Sequence, residues 1–300
     1  MQLLSRARVC HLFATPLRKI LVVSLLAVCL ASLLVVSYLH SSNNQEEVAE
    51  TERHLTTISL TLAQRIEAEI ANAIRMLEFA AASPVFSARP LADNTLVDSN
   101  QVPLMKLLQT LQEKGQFSTL QILSPSGERI LAYPSKPPDQ REQFIPAADP
   151  LPRQANLTRE SLISDSFQWI NGAPAVAIDV PVERDGRIIA HMHGVFDLNY
   201  LSNLMSRTLS SELDIGFIID RHGYALAHSD SRYLQGEERT RFAEHPVVQS
   251  YLAAPLPQGP LVRECVDPGE GRPYLFLLAP LHPGWALVLG RKMEAISAGV

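Results

Sequence analysis

Residues 179–204 read DVPVERDGRIIAHMHGVFDLNYLSNL, and this stretch decides the fold. Glu183-Arg184-Asp185-Gly186 lies between two extended apolar runs, and Asp-Gly in that setting is hairpin-turn chemistry. Residues 175–180 and 188–196 are therefore expected to pair as antiparallel strands, with a helix over 199–209. On the second strand a period of two sets Ile189, His191, His193, Val195 and Asp197 on one face, and Ile188, Ala190, Met192 and Phe196 on the other. The His/His/Asp face has three open readings. It can line a polar pocket whose imidazoles switch near neutral pH, form a solvated sheet face, or supply metal ligands. Asp179 on the neighbouring strand, and Phe167 and Trp169 just before it, are candidate rim residues; Trp169 serves equally as a core anchor.

Working outward, the same pattern recurs. Aligning Gly127 with Gly223, an offset of 96, superimposes LQILSPSGERILAYPS on IGFIIDRHGYALAHSD, both strand, glycine turn, strand. Aligning Pro181 with Pro280, an offset of 99, superimposes AIDVPVERDGRIIAHM on LFLLAPLHPGWALVLG. Two matches in the same order at nearly equal offset predict tandem modules with largely antiparallel sheets. Strands are expected at 119–123 and 129–133, with a helix over 104–113 before them and a Pro-rich loop over 136–152 after them. Asp220 and His222 read as turn residues, His228 and Asp230 follow them closely, and Trp285 reads as core. Pro280, Pro283 and Gly284 split the apolar 274–289 stretch into two strands.

Toward the N-terminus, residues 20–39 read ILVVSLLAVCLASLLVVSYL without a charge. Twenty helical residues match a bilayer core of about 30 Å, so a single transmembrane helix is expected; a signal peptide cut near Ala31-Ser32 is the alternative. Arg6, Arg8, Arg18 and Lys19 precede the span and the first acid is Glu46, which places the N-terminus in the cytoplasm and the remainder outside. From Glu46 to about Ala82 no Gly or Pro interrupts the chain, and Leu55, Ile58, Leu62, Ile66, Ile70, Ile74 and Leu77 form one stripe. That is a stalk helix, expected to pack on the domain and to pair two copies. The 300 residues carry a net charge of −5, too acidic for a nucleic-acid partner, and three cysteines, too few for a disulfide scaffold. No G-x-S-x-G, His-Glu-x-x-His or phosphate-loop pattern is present, so neither an enzyme nor a cofactor is expected.

With its span, stalk and two strand-rich modules, the chain resembles a bacterial double Cache (dCache) sensor over about residues 41–292. The resemblance rests on residues 179–204, on GFIIDRHGYALAHSD (216–230) and on PYLFLLAPLHPGWALVLGRK (273–292). It implies an α+β fold: a cytoplasmic N-terminus (1–19), a transmembrane helix (20–40), a stalk (41–83), a membrane-distal PAS-like module (84–209), a membrane-proximal one (210–292) and a tail (293–300). It also implies a small-molecule ligand in the distal module of an inner-membrane, periplasm-facing receptor that signals as a homodimer. Asp197 occupies the position where amino-acid-binding relatives set a carboxylate against the ligand amine. The run that holds the ligand carboxylate there is not intact, and DQREQFIPAA (139–148) offers Arg141 and Phe144. A kinase, cyclase or chemotaxis output is expected beyond residue 300 where the chain continues. The rival reading is an anchored docking protein on the same fold.

Overall fold

The computed structural model describes residues 16–87, 101–134, 151–169, 172–209, 213–234, 242–253, 259–282 and 284–297. The helices are α1 (Pro16–Ala81), α2 (Gln101–Lys114), α3 (Leu151–Thr158), α4 (Asn199–Thr208), α5 (Pro246–Leu252) and α6 (Met293–Ser297). The strands are β1 (Phe117–Leu123), β2 (Arg129–Tyr133), β3 (Leu162–Ile163), β4 (Phe167–Gln168), β5 (Pro174–Arg184) and β6 (Arg187–Asp197). A second set comprises β7 (Ile215–Ile219), β8 (Ala225–His228), β9 (Leu261–Val266), β10 (Pro273–Leu281) and β11 (Trp285–Lys292). Two compact units result: residues 1–53 with 295–300, and residues 54–294.

In the first unit α1 presents large apolar side chains to solvent, among them Leu26, Leu30, Leu33 and Leu34, each more than 60% exposed. Side chains are described for 23–35, 37 and 38 of the uncharged stretch, and among the described residues no helix is long and apolar enough to cross a membrane.

The second unit holds two antiparallel sheets. Their orders are β2-β1-β6-β5-β3, with β4 also on β5, and β8-β7-β11-β10-β9. Each sheet thus begins with a short hairpin, runs through a long one, and ends on a short strand. The glycine turns at the 96-residue offset share their hydrogen bonds. The amide of Ser124 donates to Glu128 O at 2.7 Å and that of Asp220 to Tyr224 O at 3.0 Å. Gly127 N donates to Ser124 O and Gly223 N to Asp220 O, both at 2.9 Å. Asp220 completes its turn by accepting from the amides of His222 and Tyr224, as turn chemistry requires. The β5–β6 turn has φ of +49° at Asp185 and +73° at Gly186, the double positive φ that favours Asp-Gly there.

Both sheets are covered on both faces, which is why β10 and β11 read as near-continuous apolar runs. One face of the second sheet carries Phe217, Tyr274, Phe276 and Val288 against Val247, Val248 and Tyr251 of α5. The stripe of α1 is buried at Leu55, Leu62, Ile66, Ile70 and Leu77, while Ile58 and Ile74 are half-buried and Ala63, Ala73 and Ala80 complete it. Burying a Leu or Ile side chain stabilises by about 1.5–3 kcal/mol, so this stripe holds α1 on the rest of the unit. Polar contacts fix its azimuth: Tyr200 Oη donates to Glu69 at 3.0 Å, Ser161 Oγ to Glu78 at 2.7 Å, and His282 N to Glu67 at 3.1 Å. The predicted Pro-rich loop needs correction at its end, because Leu151 and Pro152 open α3, with Pro in the first turn where its missing N–H is harmless. The remainder of that loop lies outside the described residues.

Candidate functional site

The first sheet brings most of the sequence-identified residues to one face. Phe167 pairs with Ala175, and Ala175 with Asp197, so these three form one rung. Two rungs along, Leu162, Asp179, His193 and Gln121 stand opposite one another across four strands, and His191 follows beside Pro181 and Leu123. Trp169 is half-buried beside Phe167, ring centroids 6.2 Å apart. Arg141 lies outside the described residues.

The face is not solvated: Asp179, His191 and His193 are each 0% exposed, which removes that reading. Asp179 bridges the two imidazoles, with Oδ2 2.7 Å from His191 Nδ1 and Oδ1 3.2 Å from His193 Nδ1. Burial by itself raises the Asp179 carboxyl pKa, but the bonds from His191 and His193 outweigh it and hold the group below the ordinary range. Asn156 of α3 donates to Pro125 O at 2.8 Å, which turns its Oδ1 toward His191 Nε2 at 3.1 Å. Both ring nitrogens of His191 therefore meet oxygen atoms of Asp179 and Asn156. His193 Nε2, in contrast, is buried without a hydrogen-bond partner. Such an atom is rare in a folded interior.

Asp197 sits where the sheet meets α4. Its Oδ1 accepts from Asn199 N at 2.8 Å, tying the carboxylate to the first turn of that helix, and it is half-buried. Among the described residues no group of three or more His, Cys, Asp or Glu is arranged to hold a metal ion, so the metal reading of this face finds no support.

A second constellation lies on the other sheet and was not assembled by sequence reading. A cavity of about 400 Å³ is lined among others by His228, Tyr233, Phe242, His245 and Asp267. His228 stacks on Phe217 with planes 6° apart and lies 4.6 Å from the Tyr233 ring centroid. Burial pushes its pKa down to about 4, against weaker opposition from Asp230 and Asp267. His245 accepts from Val247 N through Nδ1, capping α5, and its Nε2 meets Asp267 Oδ1 at 3.2 Å. Asp267 also accepts from Glu270 N at 2.7 Å. Although burial raises the Asp267 carboxyl pKa, these bonds hold it below the ordinary range.

The Cache domain family model (dCache_1) matches residues 40–300. Among solved structures, the ligand-binding domain of the Pseudomonas aeruginosa PAO1 amino-acid chemoreceptor PctC, in complex with GABA, is 18% identical with a TM-score of 0.60, covering 80% of this chain and 99% of that one. The ligand-binding domain of Campylobacter jejuni chemoreceptor Tlp3, in complex with L-valine, is 11% identical with a TM-score of 0.62, covering 85% and 97%. That of Pseudomonas fluorescens chemoreceptor CtaA, in complex with L-isoleucine, is 16% identical with a TM-score of 0.56, covering 85% and 98%. No curated protein matches the sequence significantly.

Proposed function

The chain belongs to the double Cache family, and on that premise we propose that it is the extracytoplasmic sensor of a membrane receptor, binding a small polar ligand on the first sheet and relaying the event through α1. The observation that carries this reading is His193 Nε2, fully buried yet unpartnered, on the face it shares with Asp197 and Phe167. Asp179 and His191 orient His193, while Asp197 meets the ligand with Phe167 and Trp169 at the rim, and Arg141 is kept as a ligand-binding candidate on the sequence alone. Amino acids and γ-aminobutyrate are the first ligands to try, because solved relatives are described in complex with them.

The relay has a short path. Asp197 holds the first turn of α4 through Asn199 N, and the next residue, Tyr200, bonds Glu69 on α1. A ligand that draws the Asp197 carboxylate away from Asn199 alters the seat of Tyr200 and thereby the hold on the stalk. The apolar exposure of α1 over 23–35 and 37–38 supports a single membrane span over 20–40, and the cations before it a cytoplasmic N-terminus. The module boundaries proposed are 84–209 and 210–292, and the receptor is proposed to act as a homodimer. Because the chain's own unit buries the Leu55–Leu77 stripe, the stalk faces left for a second copy are those of Leu60 and Phe79, which are 48% and 80% exposed.

The test is thermal denaturation of the full chain in mild detergent with L-valine, L-isoleucine and γ-aminobutyrate. A ligand that raises the transition temperature is expected to lose its effect in Asp197→Ala and in His193→Leu. Stabilisation unchanged in both variants removes the first sheet as the binding face.

A further inference from the structure

The cavity on the second sheet has a chemistry of its own. The Asp230 amide donates to His228 Nδ1 at 2.8 Å, so that nitrogen is an acceptor and the ring proton resides on Nε2. With a pKa near 4 the ring is neutral at physiological pH and has this one N–H to offer. His228 lines the cavity and is 2% exposed, and its Nε2 has no hydrogen-bond partner. An occupant must therefore bring an acceptor atom.

The charge around the cavity sets the second requirement. Five carboxylates line it, those of Asp214, Asp230, Glu244, Asp267 and Glu270. Two of them have cationic partners: Arg232 pairs with Asp230, and Lys292 meets Glu270 at 3.0 Å. Asp214 accepts the amide of Lys292, and Asp267 is held by His245 and backbone amides. An anion or a zwitterion would set its negative end among these groups, whereas a cation is drawn in. The rings of Tyr233 and Phe242 on the wall suit an organic cation, which gains from aromatic faces as well as from charge. The volume of about 400 Å³ falls within the range of small-molecule sites, about 300–1,000 Å³.

We propose that this cavity binds a small organic ammonium ion that also carries a neutral oxygen acceptor, the oxygen on His228 Nε2–H and the ammonium toward the carboxylates at the mouth. It is a site separate from the one proposed on the first sheet, and its ligand class differs in bearing no negative charge. It would let one receptor read two compounds.

Isothermal titration of the full chain in nonionic detergent tests this, with acetylcholine as probe, tetramethylammonium as the cation lacking oxygen, and acetate as the acceptor lacking a cation. Acetylcholine is expected to bind saturably, with tetramethylammonium at least about tenfold weaker and acetate silent. His228→Asn, whose amide oxygen still accepts from Asp230 N, is expected to weaken acetylcholine by about tenfold or more, and Asp197→Ala to leave it unchanged. Should His228→Asn fail to fold by circular dichroism, the exposed pair Asp214→Asn with Glu244→Gln gives the same reading, with weakened binding expected. The proposal is overturned by no heat up to about 10 mM probe, by equal affinity for tetramethylammonium, or by binding that survives the cavity variants or vanishes in Asp197→Ala.

Discussion

The buried neutral imidazole of His228 makes the second sheet acid-sensitive over a defined pH window. Its folded pKa is near 4 against 6.5 for the free side chain, so the unfolded chain takes up a proton that the folded one refuses. The sign follows directly. Stability from this group is fully present above pH 6.5 and is lost as pH falls from there through about 4. At about 1.36 kcal/mol per pH unit, the whole interval corresponds to about 3 kcal/mol. At pH 5 the unfolded ring is almost entirely charged and the folded ring about a tenth charged, so about 2 kcal/mol has already gone. His228→Asn keeps an acceptor for Asp230 N and does not titrate. It lowers stability at pH 7.5 through lost packing on Phe217, but its further loss on acidification should be smaller than that of the unmodified chain by about 2 kcal/mol. Urea unfolding at pH 7.5 and pH 5.0, followed by Trp285 fluorescence in a Trp169→Phe background, reads this difference from the second sheet. Asp230, Asp267, His245 and Glu244 are present in both proteins, so the comparison reads the change at position 228 together with its coupling to Asp230. Parallel pH profiles for the two proteins would refute the assignment of a buried, neutral His228.

Two further outcomes follow from burial. Asp179→Asn removes the charge that both imidazoles face, and loss of one partner from a buried ionic cluster is expected to cost about 3–5 kcal/mol in urea unfolding; a loss under about 1 kcal/mol would mean the cluster is dispensable. On α1, Leu62→Ala is expected to cost about 2–5 kcal/mol and Leu60→Ala, one face away and 48% exposed, less than about 1 kcal/mol; equal effects in the same assay would contradict the packing of the stripe.

Much of this molecule is written locally. The stripe of α1 follows from three-and-four spacing, and its end from Ser83-Pro84. Both glycine turns and the Asp185-Gly186 hairpin follow from turn chemistry, because only a few residue types tolerate positive φ. The alternation that placed His191 and His193 together was equally local, but it carries no information on what covers the face. That is decided by α3, whose Asn156 reaches His191 across 35 positions, and α3 was hidden because its Pro-containing first turn resembles the loop before it. The second cavity was less legible still. His228, His245 and Asp267 come from a strand end, a helix cap and a turn, three segments with no shared period, and only the closed sheet brings them together. In sequence His228 only follows the turn residues Asp220 and His222 closely; in the fold its Nδ1 holds the Asp230 amide.

The two sheets, alike in strand order, set different groups against Nδ1 of a buried histidine. In the first, the carboxylate of Asp179 stands 3.2 Å from Nδ1 of His193, whose Nε2 is buried without a partner. In the second, a backbone amide occupies Nδ1 of His228, so the neutral ring turns its proton outward and asks for an acceptor. Both Nε2 atoms are buried and unpartnered. The difference arises from what each fold element sets against Nδ1, a side-chain carboxylate on the adjoining strand or an amide two residues onward in the chain.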